Sequence, residues 1–138
     1  MNIDWIAILA AAVSSWMFGA LWYGVLSKHW MAAIGFTPAD MQGHDGKPKI
    51  PLAPMIVSFV AELVMAIILA GVIAHTAKKG VTISSGALVG AICWLGFVIT
   101  TLATNHAYGK AKAALTIIDG GHWLGVLLIQ GVVLGALL

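Results

Sequence analysis

Four long apolar stretches limit what this chain can fold into. They cover residues 3–26, 54–74, 84–108 and 113–138. A helix of such length reaches about 30–39 Å, enough to cross a hydrocarbon core ~30 Å thick. Helices are expected because lipid offers no water to the backbone polar groups. The pattern predicts an all-α integral membrane protein, a single domain over residues 1–138 built as a bundle of four transmembrane helices with one longer loop between helices 1 and 2.

The composition excludes most soluble classes. Of 138 residues, 61% are hydrophobic and 9% are charged, whereas a soluble domain has about 25% charged residues. The net charge of +2 is too small to indicate nucleic acid as a partner, so the lipid bilayer is the expected one. Cys93 is the only cysteine, which rules out an intrachain disulfide.

The links between the stretches differ in length. Thr37 and Pro38, in the long first link, are typical of an N-cap and a first helical position. Prolines at 48 and 51 exclude a helix until about Pro54, where proline can stand at a helix start. The third link, residues 109–112, is so short that the last two helices must be antiparallel neighbours.

Lysine distribution predicts the orientation. The first and third links lie on one side of the membrane and hold five lysines, whereas the opposite side holds Lys78 and Lys79. Cytoplasmic links carry the excess of positive charge. The first and third links are therefore expected in the cytoplasm and both termini outside.

Three glycine pairs spaced by four residues predict close helix contacts. Such pairs let two helix backbones approach, although glycine is also simply common in membrane helices. The pairs are Gly86 with Gly90, Gly121 with Gly125, and Gly131 with Gly135.

Polar residues within the apolar stretches are the candidate functional residues. Glu62 lies about 12 Å into the second predicted helix, and Asp119 and His122 lie about 9 and 14 Å into the fourth. Asn105 and His106 end the third helix on the same side of the membrane. Charged groups are expensive in lipid and usually have a function or a partner there. We therefore predict one pocket, with Tyr23 reaching it and with Lys28, Lys110 and Lys112 at its mouth.

Each of these residues also has a purely structural interpretation. Asn105 and His106 could cap a helix end, and Asp119 could pair with His122, one helical turn away, or with a nearby lysine. Glu62 has no charged neighbour in its own stretch, so its partner must come from another helix or a cavity. Whether a cofactor or metal binds stays open, because metal-binding spacings are missing even though His and carboxylate are good ligands. The candidate ligands would be His106, His122, Glu62 and Asp119.

Several short motifs are spread along the chain: Gly19 to Gly24 with Lys28 and Trp30, Gly35, Thr37-Pro38, Glu62 within residues 61–66, Asn105-His106, and Ile118 to His122. Together they resemble the bacterial membrane family catalogued as domain of unknown function 1761. The likeness covers nearly the whole chain and departs in residues 43–51 and at Ala107-Tyr108. It implies four helices in a bacterial cytoplasmic membrane and no assigned activity.

Two functions from different classes remain. The first is a homo-oligomeric transporter or carrier of a small molecule or ion, with Glu62 and Asp119 as protonatable or cation-binding groups. The second is a structural or binding membrane protein whose polar cluster fixes the helices or holds a metal, haem or lipid headgroup. An enzyme has the least support, because no catalytic triad or phosphate-binding loop is evident. No residue is therefore assigned a catalytic role.

Overall fold

The structure, a computed structural model, describes residues 4–138 and is dominated by helices. Four of them are long and apolar enough to cross a membrane, which indicates a multi-pass membrane protein and confirms the four predicted spans. A residue-3 start for the first helix lies outside the described residues. The five α-helices are α1 (Trp5–Val25), α2 (Ser27–Ile34), α3 (Leu52–Thr76), α4 (Ile83–Tyr108) and α5 (Ala113–Leu137).

Helix α2 was not predicted, so the four-helix description is incomplete. The helix follows α1 after a single residue, Leu26, whose backbone leaves the helical region with φ −94° and ψ 10°. Gly35 ends α2 in the left-handed conformation at φ 79°, which glycine adopts without steric cost. The long first link therefore begins as a short helix rather than as irregular chain.

The rest of the first link follows the local sequence signals. A single 3₁₀ turn, Pro38–Met41, begins after Thr37, as the N-cap pattern predicts. The hydroxyl and the backbone N–H of Thr37 both donate to the Asp40 carboxylate. These bonds, that of the hydroxyl above all, hold the pKa of Asp40 below its usual value. Helix α3 begins at Leu52, two residues before the predicted start, so Pro54 lies in its first turn, where no intrahelical partner is lost.

Helix α5 is the centre of the bundle. It contacts all four other helices, whereas the backbones of α1 and α4 do not come close to each other. Within the 18-residue apolar segment of each helix, 44% of the residues of α5 are buried but only 11% of those of α4. The core consists mostly of alanines on α1 and mostly of larger apolar residues on α3 and α5. These core residues are Ala7, Ile8, Ala11, Ala12, Ala66, Leu69, Ile73, Leu127 and Leu134.

Glycine brings the backbones of α4 and α5 together. A Cβ atom on Gly86 would overlap the carbonyl oxygen of Gly131, and a Cβ on Gly131 would overlap that of Gly86. Gly90 lies in the same way against Leu127, and Gly135 against Thr82. Residue numbers rise on one helix as they fall on the other, so the two helices run antiparallel, as the short third link predicts.

A π-helical turn at Trp94–Val98 rotates the second half of α4 relative to the first. Residues 18 apart lie on one face of a regular α-helix, because 18 residues make about five turns. Gly90 is buried against α5, yet Tyr108, 18 residues later, is 88% exposed. The wider turn therefore directs His106 towards α5, where its ring contacts Thr116.

Candidate functional site

The deeper of two polar clusters joins Ser15 of α1, Glu62 of α3 and Gln130 of α5. The Ser15 hydroxyl lies 2.5 Å from Glu62 Oε2. The Gln130 amide donates to Ser15 Oγ at 3.0 Å and to the Glu62 carbonyl at 2.9 Å. Glu62 is only 1% exposed, and Ser15 and Gln130 are fully buried. Three helices thus meet at one hydrogen-bonded cluster. The two residues that accompany the Glu62 carboxyl group in it, Ser15 and Gln130, carry no charge.

The Ser15–Glu62–Gln130 cluster can hold Glu62 in either protonation state. Ser15 has one hydroxyl proton but two acceptors within reach, Glu62 Oε2 and the Ala12 carbonyl at 3.1 Å. When Glu62 is ionised, the hydroxyl donates to the carboxylate. When Glu62 is protonated, it can donate to Ser15 Oγ while the hydroxyl turns to Ala12. The exchange moves hydrogen atoms only, so a proton can be gained or lost here without repacking the helices.

The shallower cluster surrounds Asp119 on α5. The Tyr23 hydroxyl donates to Asp119 Oδ1 at 2.8 Å. His106 Nε2 lies 4.0 Å from Asp119 Oδ2, and the other ring nitrogen of His106 lies 2.9 Å from Thr116 Oγ1. The His106 and Asp119 side chains are each 18% exposed, so this carboxylate can be reached from outside the bundle.

Two tryptophans flank Asp119 and set its position. Trp22 Nε1 donates to the Ile118 carbonyl at 3.1 Å, and Trp94 Nε1 donates to the Gly120 carbonyl at 2.8 Å. The first indole comes from α1 and the second from α4. Because they bind the carbonyls on either side of Asp119, they fix the rotation of α5 where the carboxylate meets Tyr23.

His122 is packed among aromatic rings instead of pairing with Asp119. Its side chain stacks on Phe18 at 6.2 Å and lies 4.8 Å from the Tyr23 ring, as centroid distances. Its Nδ1 atom is buried and has no hydrogen-bond partner within residues 4–138. Gly19 leaves room for the imidazole, because a Cβ there would lie 2.7 Å from Nε2. The possible Asp119–His122 pair is thus replaced by contacts of Asp119 with Tyr23 and His106.

The structure divides the predicted pocket between two places. Tyr23, His106 and Asp119 come together, and His122 adjoins them through Tyr23. Glu62 does not, because its partner Gln130 is eleven residues from Asp119 on α5, about 16 Å along the axis. Counting residues from the end of a helix predicts the depth of a side chain in the bilayer. It does not predict which helix faces meet.

Asn105 and Lys112 also lie elsewhere. Asn105 is exposed on the outer side of α4, beside Thr100, Thr101 and Thr104. Lys112 donates to the Ala32 carbonyl at 2.7 Å and so ties the start of α5 to the end of α2, instead of pairing with Asp119.

Sequence reasoning missed three members of the two clusters, Ser15, Thr116 and Gln130. Gln130 is the only glutamine in the four apolar stretches, and that signal could have identified it. Ser15 and Thr116 carried no such signal, because membrane helices often contain hydroxyl side chains that bond to their own backbone. Across residues 4–138, no three His, Cys, Asp or Glu side chains come close enough to hold a metal ion.

The chain belongs to the family described as Protein of unknown function (DUF1761), whose model matches residues 6–135. This match agrees with the resemblance carried by the short motifs. No curated protein matches the chain. No solved structure matches it either.

Proposed function

We propose that this family member is a small bacterial membrane carrier that works as a homo-oligomer and binds protons or small cations at Asp119 and Glu62. Residues 1–138 form one unit in the cytoplasmic membrane, with the first and third links in the cytoplasm. Asp119 is the entry group and Glu62 the deeper group. Intramembrane carboxyl groups of this kind mark ion pathways and proton relays in pumps and transporters.

The observation that carries the proposal is the environment of Glu62. This carboxyl group is buried where three membrane-length helices meet, and its hydrogen-bond partner is the Ser15 hydroxyl rather than a cation. The Gln130 amide bonds to the Glu62 backbone carbonyl, not to the carboxyl group. A carboxylate placed so would be costly if its only purpose were to fix packing, because an apolar residue would serve there. A group that must take up and release a proton has a reason to remain.

The homo-oligomer is supported by the close packing of the bundle. Helix α5 fills the centre, and glycines let its backbone touch α4 directly. Four helices packed in this way enclose little space for a substrate. A continuous pathway between Asp119 and the far side of the membrane therefore needs a surface contributed by a second subunit.

Flux measurements on purified protein test the carrier. Proteoliposomes with an imposed pH gradient would be followed with a pH-sensitive dye, with Na⁺ or K⁺ inside. We expect flux above that of empty liposomes, at least tenfold reduction in Asp119→Asn and Glu62→Gln, and wild-type flux in Asp45→Asn, which changes an exposed loop carboxylate. Equal flux in all four proteins, or none above empty liposomes, would reject the carrier.

The second candidate, a structural or binding protein, is favoured by the way the Ser15–Glu62–Gln130 cluster links three helices. Its side chains bond to one another and to the backbone carbonyls of Ala12 and Glu62, and they join α1, α3 and α5 as a purely structural network would. Metal analysis and absorbance of the purified protein separate the two candidates. Stoichiometric metal or a Soret band, with no flux in liposomes, would favour a binding role.

A further inference from the structure

We infer that the outer face of the second half of α4, formed by Thr101, Thr104 and Asn105, is the surface through which two copies of this chain associate. This polar face names the interface of the homo-oligomer in the proposed function and does not depend on what is carried. All three residues are exposed. Positions i, i+3 and i+4 lie on one side of a helix, so they form a continuous strip.

The exposed surface of α4 is divided into an apolar half and a polar half. Leu88, Ile92 and Leu95, in or next to the first half, are each exposed by about 60% and suit contact with lipid tails. The polar face follows after the π turn at Trp94–Val98. Lipid tails suit the first half, whereas the hydroxyl and amide groups of the second half can gain hydrogen bonds from a protein partner.

Hydrogen bonding within the chain leaves part of the polar face unsatisfied. Thr104 Oγ donates to the Thr100 carbonyl at 2.9 Å, and Thr100 Oγ donates to the Gly96 carbonyl at 3.0 Å. The side chains of Thr101 and Asn105 have no such bond to any residue in the range 4–138. Amide and hydroxyl groups at helix surfaces associate membrane helices by bonding across the interface.

A second copy of the same face fits this chemistry. An amide carries both donors and an acceptor, so Asn105 can pair with Asn105 of a second copy. A two-fold axis along the membrane normal brings residues of equal depth together and makes the interface self-complementary. The face carries no charge, so two copies do not repel. The small side chains of Thr101 and Thr104 allow the helices to approach.

The π turn explains why this face points outwards. In a regular helix Thr104 would lie on the same side as Gly86, which is 18 residues earlier and buried against α5. The extra residue in the turn rotates Thr104 and Asn105 away from α5 while it directs His106 towards Thr116. One local feature thus builds both the Asp119 cluster and the polar face beside it.

Cysteine cross-linking in liposomes tests the interface. In a Cys93→Ala background, Thr101→Cys should give a disulfide-linked dimer on mild oxidation, whereas Leu88→Cys, on the apolar half, should not. Adding Asn105→Leu to Thr101→Cys should weaken dimerisation by roughly tenfold. The loss of one interhelical polar contact changes helix association by about this factor in model peptides. Thermal unfolding of Asn105→Leu in detergent, unchanged from wild type, would show that the protomer remains folded.

Two other outcomes would overturn the inference. If single-molecule photobleaching finds dimers that Asn105→Leu leaves intact, the protein associates through another surface and the homo-oligomer itself survives. If the wild-type protein is a monomer in liposomes, the polar face meets water or lipid headgroups, and the oligomeric part of the proposed function fails with it.

Discussion

Ser15 Oγ lies 2.5 Å from Glu62 Oε2, although the two residues are 47 positions apart in the chain. The contact joins the middle of α1 to α3 and leaves the carboxyl group with an uncharged partner. Its position, far from the cluster around Asp119, divides the polar interior of the bundle into two separate places. Each place makes its own predictions.

Ser15→Ala should destabilise the protein, because it leaves the buried Glu62 carboxyl without its hydroxyl partner. Leaving a buried polar group unsatisfied costs about 1–3 kcal/mol of unfolding free energy. Ser14→Ala is the matched control, since Ser14 is exposed on the same helix. Thermal unfolding in detergent measures both. Equal midpoints for the two variants would mean that the Ser15–Glu62 hydrogen bond contributes nothing.

Tyr23→Phe should lower stability through the loss of the hydrogen bond to Asp119 Oδ1. A bond to a carboxylate is stronger than one between neutral groups, so a loss of about 1.5–3 kcal/mol is expected. Tyr108→Phe makes the same chemical change at a side chain that is 88% exposed and should have no effect. A similar loss in both variants would point to the phenol ring itself rather than to the contact with Asp119.

Gly131→Ala should destabilise the α4–α5 contact, because the added Cβ overlaps the Gly86 carbonyl oxygen. Overpacking of this kind typically costs about 1–3 kcal/mol. Gly71→Ala should instead be neutral or stabilising, since no atom lies within 4 Å of its Cβ position and alanine favours the helix. Opposite signs in thermal unfolding support direct backbone contact. If Gly131→Ala is also stabilising, the two helices lie farther apart.

Deletion of Gly96 should rotate the second half of α4 by roughly 100°, because the π turn loses its extra residue. His106 would then leave Thr116 and Asp119. A short bifunctional thiol reagent should cross-link His106→Cys with Thr116→Cys in the Cys93→Ala background, and the deletion should abolish this cross-link. Gly96→Ala keeps the number of residues, and its Cβ would meet no other atom, so this variant should preserve the cross-link. Cross-linking that survives the deletion would show that the register does not depend on the turn.

The orientation set by lysine can be tested with single cysteines in intact cells. With the first link in the cytoplasm, His44→Cys should resist an impermeant thiol reagent, and His75→Cys, in the last turn of α3 next to the second link, should react. Both positions are exposed, so accessibility within the protein does not decide the result. The reverse pattern would place the first and third links outside the cell.

The sequence by itself determined where the chain crosses the membrane. Length and hydropathy are local properties, so the four spans, the 3₁₀ turn after Thr37 and the antiparallel end helices followed from the residues directly. The need of Glu62 for a partner on another helix followed in the same way, because its own stretch has no charged residue. Helix α2 was not predicted because its boundaries depend on the backbone conformations of Leu26 and Gly35 rather than on a long apolar pattern.

Only the tertiary structure decided which polar side chains meet. The π turn changed the helix phase of α4, so periodicity along the sequence could not tell that His106 faces inwards while Asn105 faces outwards. Close glycine packing set the register of α4 against α5, and the packing of α3 on α5 placed Gln130 rather than Asp119 beside Glu62. The rotation of each helix and its shift along its axis arise from contacts between residues that are distant in the sequence. A local sequence pattern does not contain information about such contacts.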